Sequence, residues 1–142
     1  MQNLGLISAF GKRYGWTIGW AALLFILSSI PDLSPPLHLF EWEDKLEHLL
    51  AYTPLGWLLM RSIVWRANST RKALWLVLVI GMLYGISDEI HQHFVPGRMM
   101  DWMDAVADTC GIALGSWLFH YRRTTATMKK PPVEVKQKAL WK

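Results

Sequence analysis

GMLYGISDEIHQHFVPGRMMDWMDAVADTCGIALG, residues 81–115, decides how this chain folds, because it holds two apolar helical halves that both turn acidic toward one hairpin. In the second half Asp101, Asp104, Asp108, Gly111 and Gly115 follow spacings of 3, 4, 3 and 4. On a helix they make one stripe, acidic at one end and glycine at the other. In the first half Gly81, Gly85, Asp88 and Gln92 repeat the pattern with spacings of 4, 3 and 4 and the order reversed. Folded back antiparallel, the glycine ends meet and the acidic ends meet. Small residues four apart let helix backbones approach closely in a membrane, where no hydrophobic drive acts between helices and packing must supply the attraction. The stretch therefore predicts a helix pair clamped at one end and gathering polar groups at the other.

Working outward, the composition names lipid as the solvent. The chain has 142 residues, 52% of them hydrophobic, nine tryptophans and a mean hydropathy of +0.17, too apolar for an average soluble domain. Four apolar runs stand at 14–31, 44–65, 73–95 and 102–121. Each is 18 to 23 residues long, which at about 1.5 Å per residue covers the roughly 30 Å hydrocarbon core. The expectation is an all-α integral membrane protein: four transmembrane helices in an antiparallel up-down bundle, one domain over residues 1–123. A basic tail, residues 124–142, with Pro131, Pro132 and five lysines, reads as disordered.

Charge orients the bundle. With helices 1 and 3 running outward, the cytoplasmic side receives 13 of the 15 basic residues, and only Lys45 and Arg98 lie outside. Both termini are then cytoplasmic. Ten of the eleven acids fall at or near the outer ends. The net charge of +4 is explained by topology signals and contacts with anionic lipid, and no nucleic-acid partner is implied. Trp16, Trp65, Trp75, Trp117 and Tyr121 at inner ends, and Trp42 and Trp102 at outer ones, form interfacial belts.

The connections fit this layout. The apolar run after Lys12 and Arg13 is long and lacks a small-x-small site before Pro31, against a cleaved signal peptide. Residues 32–43, with Pro35 and Pro36, read as an extended outer loop. Ala67 to Thr70 reads as a tight inner turn whose Asn68, Ser69 and Thr70 suit capping of helix 3. Cys110 is the single cysteine, so no disulfide and no thiolate metal site is expected, and it reads as a packing residue inside helix 4.

The chemistry gathers at the outer end. Helix 2 offers Asp44, His48 and Tyr52 on one face, with Lys45 and Glu47 beside them; helix 3 offers Asp88, Glu89 and Gln92, then His91 and His93. Pro96 and Gly97 make the turn and Arg98 leaves it, pointing either at phosphate or back at Asp101 and Asp104. Counted from Val95 and Trp102, Asp88 and Asp108 lie roughly 9 to 10 Å below the helix ends. Ionisable groups at such depth are costly and normally face a bundle interior or a wet cavity.

Three segments together, DKLEHLLAY (Asp44 to Tyr52), SDEIHQHFVPGR (Ser87 to Arg98) and DWMDAVADTCGIALG (Asp101 to Gly115), resemble the VanZ-like family. These are small membrane proteins named for an accessory protein of resistance to the glycopeptide antibiotic teicoplanin. The resemblance covers about residues 20–120. It implies a multi-pass protein of the bacterial inner membrane whose matching positions are Asp44, Lys45, His48, Tyr52, Asp88, Glu89, Gln92, Pro96, Gly97, Arg98, Asp104, Gly111 and Gly115. One position departs: the family usually carries Asn where this chain has Asp108.

Several functions stay open on these residues. As a binding protein, the chain uses an outward pocket of Asp44, Lys45, His48, Tyr52, Asp88, Glu89, Gln92, Arg98, Asp104 and Asp108 to hold an outer-leaflet lipid or a lipid-linked envelope precursor. Arg98 and Lys45 then take phosphate, and spare carboxylates take an amine or a bridging cation. This is the favoured reading, with the resemblance adding envelope homeostasis or teicoplanin resistance as the role. As an enzyme, it uses His48, oriented by Asp44, as a base, or His48, Glu89 and His93 to hold a divalent metal that activates water against a phosphorylated lipid. Against the enzyme stands the lack of HExxH, GxSxG or a P-loop, and no cofactor is firmly implied. As a structural network, it pairs Asp44 with His48, Arg98 with Asp101 or Asp104, and Asp88 with Gln92. A proton relay for transport would need a homo-oligomer, because four helices make a small conduit.

Overall fold

The computed structural model describes residues 2–31 and 42–128, with side chains from residue 10 onward. These residues form four α-helices and no strand: α1 (Gln2–Ser28), α2 (Glu43–Ile63), α3 (Thr70–Gln92) and α4 (Trp102–Met128). The expected loop at 32–43 falls outside the described residues over 32–41, as does the expected disordered tail from 129.

The helices start and stop for local reasons. Ser69 is extended at the head of α3 (φ −154°, ψ 149°) and its hydroxyl accepts from the Lys72 N–H at 3.2 Å, the cap that the Asn-Ser-Thr run promised. α3 ends at Gln92 rather than 95. Pro96 biases the residue before it away from the helical region, and Gly97 turns the chain at φ 78°. Asp88 is therefore one helical turn from the end of α3, not two. α1 begins at Gln2, well before the expected 14, and α4 runs to Met128 instead of 121, so the first residues of the basic tail are helical.

One helix among the described residues, α3, is long and apolar enough to cross a membrane, with a mean hydropathy of 1.7. The other three are diluted by charge: Lys12 and Arg13 lie inside α1, Glu43, Asp44, Lys45 and Glu47 open α2, and Asp104 and Asp108 sit in the first turns of α4.

Packing centres on α2 and α4, which lie side by side and parallel. A Cβ placed on Gly56 would stand 2.7 Å from the Ile112 Cα, one on Gly115 would stand 2.7 Å from the Trp57 N, and one on Gly111 would meet the Leu49 carbonyl. All three glycines admit backbone where a side chain would not fit. This corrects the expected glycine clamp. Gly81 and Gly85 of α3 do face α4, but they receive the side chains of Ile112 and Asp108, whereas Gly111 and Gly115 are spent on α2. The reason is Gly56, which lets α2 come closer to α4 than α3 can.

α1 is attached by polar hooks. The Thr17 hydroxyl meets the Leu58 carbonyl at 3.2 Å and the Ser62 hydroxyl at 2.9 Å, Trp20 Nε1 donates to the Ala51 carbonyl at 3.0 Å, and the Tyr84 hydroxyl donates to the Ala21 carbonyl at 2.6 Å. Around these hooks Leu24, Tyr52, Leu55, Leu59, Met60, Val64, Ala73, Val77 and Ile112 make the buried apolar cluster. Outside it, large apolar side chains cover the surface, among them Trp16, Ile26, Leu50, Leu83 and Val106. Cys110 is exposed on α4, which corrects its assignment as an interior packing residue.

Candidate functional site

The up-down order brings the start of α2, the end of α3 and the start of α4 to one end of the bundle, here called the acidic end. All ten residues singled out from sequence meet there. A cavity of about 370 Å³ opens among them. Asp44, His48, Tyr52, Asp88, Gln92, Arg98 and Asp104 line it, while Lys45, Glu89 and Asp108 stand behind that lining. The sequence reading missed the opposite wall: Leu24, Leu27 and Ser28 of α1, Ala51 of α2 and Met99 of the α3–α4 turn. Ala51 lies one turn after the expected pocket residue His48, but the α1 contribution had no local signal.

The deepest part is a chain of partners across α2, α3 and the α3–α4 turn. Tyr52, 2% exposed, donates its hydroxyl to Asp88 Oδ2 at 3.0 Å, and Gln92 Nε2 donates to the same oxygen at 3.3 Å and to Glu89 Oε1 at 3.4 Å. The expected Asp88–Gln92 pair is thus present. Glu89 is fully buried and its Oε2 accepts the Asp101 N–H at 2.9 Å, so the carboxylate splints the α3–α4 turn. Burying such polar groups is tolerable because each is paired. Three oxygens are exceptions among the described residues: Asp88 Oδ1, Asp104 Oδ1 and Asp108 Oδ2 are buried with no hydrogen-bond partner, and of these Asp104 Oδ1 is ion-paired with Lys45 at 2.9 Å.

Two expected pairings are corrected. His48 is oriented by Asp108, whose Oδ1 lies 2.9 Å from His48 Nδ1, and not by Asp44. Asp44 is one turn away on the same helix, but its carboxylate is taken by Lys45, 2.7 Å away. The Lys45 ammonium also reaches Asp101 at 2.5 Å and Asp104 Oδ1 at 2.9 Å, so one cation serves three carboxylates. Beside it the Asp101 carboxyl, which also accepts the Met103 N–H, is held below the usual carboxylate range, chiefly by the Lys45 hydrogen bond. Arg98 binds neither Asp101 nor Asp104. Its Nε and one terminal nitrogen point to the Ile30 and Leu27 carbonyls, each at 3.4 Å, which ties the end of α1 to the cavity mouth.

The other histidines leave the site. His91 Nε2 lies 2.9 Å from the Ser29 hydroxyl and its ring stacks on Phe25, and His93 is exposed beside Phe94. His93 is therefore no partner for Glu89 and His48. Ser28 and Ser29 both donate to the Phe25 carbonyl, at 3.1 and 2.6 Å, as expected of serines near a helix end. Asp104 takes the place proposed for His93: one ligand atom each from His48, Glu89 and Asp104 fall within 4.8 Å of one another.

Chemically, the arrangement offers an anionic floor, one half-buried imidazole held by a carboxylate, a guanidinium at the mouth and an apolar side wall. Comparison with curated proteins and with solved structures finds no significant match. The family model described as VanZ/LLP1 matches residues 6–123, which include every residue of the polar cluster, and the chain belongs to that family.

Proposed function

We propose that this VanZ-like chain is a multi-pass protein of a bacterial inner membrane, with both termini cytoplasmic and the acidic end outward. Its cavity binds the polar head group of a membrane lipid or a lipid-linked envelope precursor. The observation that carries this reading is the two-sided cavity. Leu24, Leu27, Ala51 and Met99 offer surface to an acyl or prenyl stem, while Arg98, Gln92, Tyr52, His48 and the carboxylates face a head group. Its size falls within the range of small-molecule sites. Arg98 keeps guanidinium N–H groups beyond its two carbonyl contacts, and these suit phosphate.

The membrane setting is supported by an inverted distribution of side chains. Trp16 is 72% exposed and Leu50 59%, while Asp88, Glu89, Gln92, Asp104 and Asp108 are buried. In water such an apolar exterior is a liability, whereas in lipid it is the solvated face. At the basic end Arg122 and Arg123 lie over the rings of Trp57 and Trp65, 5.8 and 4.7 Å from their centroids, where a guanidinium would also meet anionic lipid. Through the bound head group the protein would act in envelope homeostasis or in resistance to teicoplanin.

Native mass spectrometry of the detergent-purified protein tests this reading. Wild type is expected to carry a copurified lipid-mass adduct that is lost from folded Arg98→Ala and Asp88→Asn. A clean apo mass in wild type as well as both variants would overturn head-group binding and leave a purely structural polar network.

A further inference from the structure

His48 presents its two ring nitrogens to different environments. Nδ1 is engaged by Asp108 Oδ1 at 2.9 Å, so in the neutral ring the proton sits at Nδ1 and the Nε2 lone pair is turned toward Asp104, whose Oδ2 lies 4.0 Å away. A carboxylate behind a histidine, fixing its tautomer and raising its basicity, is what metal-ligating histidines normally have. Asp104 divides its labour in the same way. Its Oδ1 is taken by Lys45 at 2.9 Å, and its Oδ2 faces the histidine. Glu89 completes a triad drawn from α2, α3 and α4.

A second and independent observation points to a missing ligand. Asp88 is 4% exposed and lines the same cavity, and its Oδ1 has no hydrogen-bond partner among the described residues. A buried acceptor left in that state asks for a donor or a cation. Charge asks for the same thing: Asp88, Glu89, Asp104 and Asp108 are buried here, Lys45 is the cation among them, and Arg98 is turned to carbonyls. The neighbouring triad of Asp44, Asp101 and Asp104 has comparable spacing, but the Lys45 ammonium already fills it.

We propose that one divalent metal cation is held where His48 and Asp104, which line the cavity, meet Glu89 behind them, with Asp88 Oδ1 offering the acceptor for a metal-bound water. One imidazole nitrogen and two carboxylate oxygens form a borderline-to-hard donor set without thiolate, which suits zinc or manganese. His48 Nε2 and Asp104 Oδ2, 4.0 Å apart, stand wider than two tetrahedral bonds of about 2.0–2.2 Å leave a pair of donors, so binding zinc draws α2 and α4 together at this end. A head-group phosphate would complete the coordination; that last step alone rests on the lipid-binding reading.

The test uses the full-length protein in detergent, stripped with a chelator and titrated with Zn²⁺ and with Mn²⁺ by calorimetry, with metal content checked by elemental analysis. Wild type is expected to bind one equivalent of at least one of these ions. His48→Ala, Asp104→Asn and the near-isosteric Glu89→Gln each lower the affinity by about tenfold or more, while His93→Ala, outside the cavity, binds as wild type does. Glu89→Gln keeps an acceptor for the Asp101 N–H and so serves if His48→Ala fails to fold. Absence of binding by folded wild type, or wild-type affinity in folded Glu89→Gln and Asp104→Asn, overturns the site. Copurified lipid in the same samples reports on the head-group reading separately.

Discussion

α4 meets its two main neighbours in opposite ways. Against α2 it offers Gly111 and Gly115 to backbone, and α2 answers with Gly56, so this seam is steric and closed. Against α3 the glycines lie on the other partner: Gly81 and Gly85 make room for Ile112 and for the Asp108 carboxylate. Above this second contact the helices end in a cavity lined by Asp88, whose buried Oδ1 has no hydrogen-bond partner among the described residues. The difference separates what holds the bundle together from what it leaves available. Where backbone meets backbone at Gly56, Gly111 and Gly115 there is little to rearrange, whereas a contact that admits a carboxylate can carry a site.

The sharpest way to break the comparison is to fill the closed seam. Gly115→Ala sets a methyl against the Thr53 carbonyl and the Trp57 N–H, both backbone, so relief requires α2 and α4 to part. The expected loss is about 3 kcal/mol, the upper end for overpacking, read as a lower melting temperature and reduced monodisperse yield in detergent. Gly19→Ala is the control: nothing lies within 4 Å of its Cβ position, and a gain of about 0.5–1 kcal/mol is expected from helix propensity. Equal behaviour of the two variants would remove the argument for a backbone seam.

Next in size is the polar side. Tyr52→Phe removes the donor to Asp88 Oδ2 and leaves that buried carboxylate with Gln92 alone, an expected cost of about 1–3 kcal/mol. Thermal unfolding measures it, and an unchanged midpoint would mean that Asp88 is neutralised by another group.

A smaller effect is expected of Asp108→Asn. The Oδ1 acceptor for His48 survives, and an amide replaces the unpartnered Oδ2. Stability should move by less than about 1 kcal/mol. A loss well above this would show that the charge of Asp108, rather than its acceptor, holds the histidine.

The smallest expected effect is at Asp101, half-exposed at the rim. Its folded-state pKa is lowered from the ordinary 3.8, first by the Lys45 hydrogen bond, so the pair's stabilising contribution is present above the unfolded-state value and lost as pH falls through the lowered one. With the Asp101 side chain 45% exposed, that contribution is minor. In Lys45→Met the carboxyl is expected to titrate higher, which a carboxyl-carbon NMR titration would detect; an unmoved titration would show that the Met103 N–H does the holding.

Much of this molecule is legible in the chain because helices are local objects. The 3- and 4-residue spacings place Asp104, Asp108, Gly111 and Gly115 on one stripe whatever lies opposite, and the Ser69 cap and the Pro96-Gly97 stop act within a turn of themselves. The same periodicity put Asp44, His48 and Tyr52 at the acidic end with Asp88, Glu89 and Gln92. Partner choice was not legible. Spacing alone favoured Asp44 for His48, since they are four residues apart, but Asp108, sixty residues further along the chain, takes the bond because Lys45 competes for Asp44. Spacing likewise matched the glycines of α3 to those of α4, but the lone Gly56, without periodic company, sets the close approach of α2. Sequence by itself thus determined four helices, their direction reversals and the end at which polar residues collect. Tertiary structure alone decided which faces touch, which carboxylate holds the histidine and where a cavity remains, because those depend on interhelical distances that are fixed by the smallest side chain at each crossing.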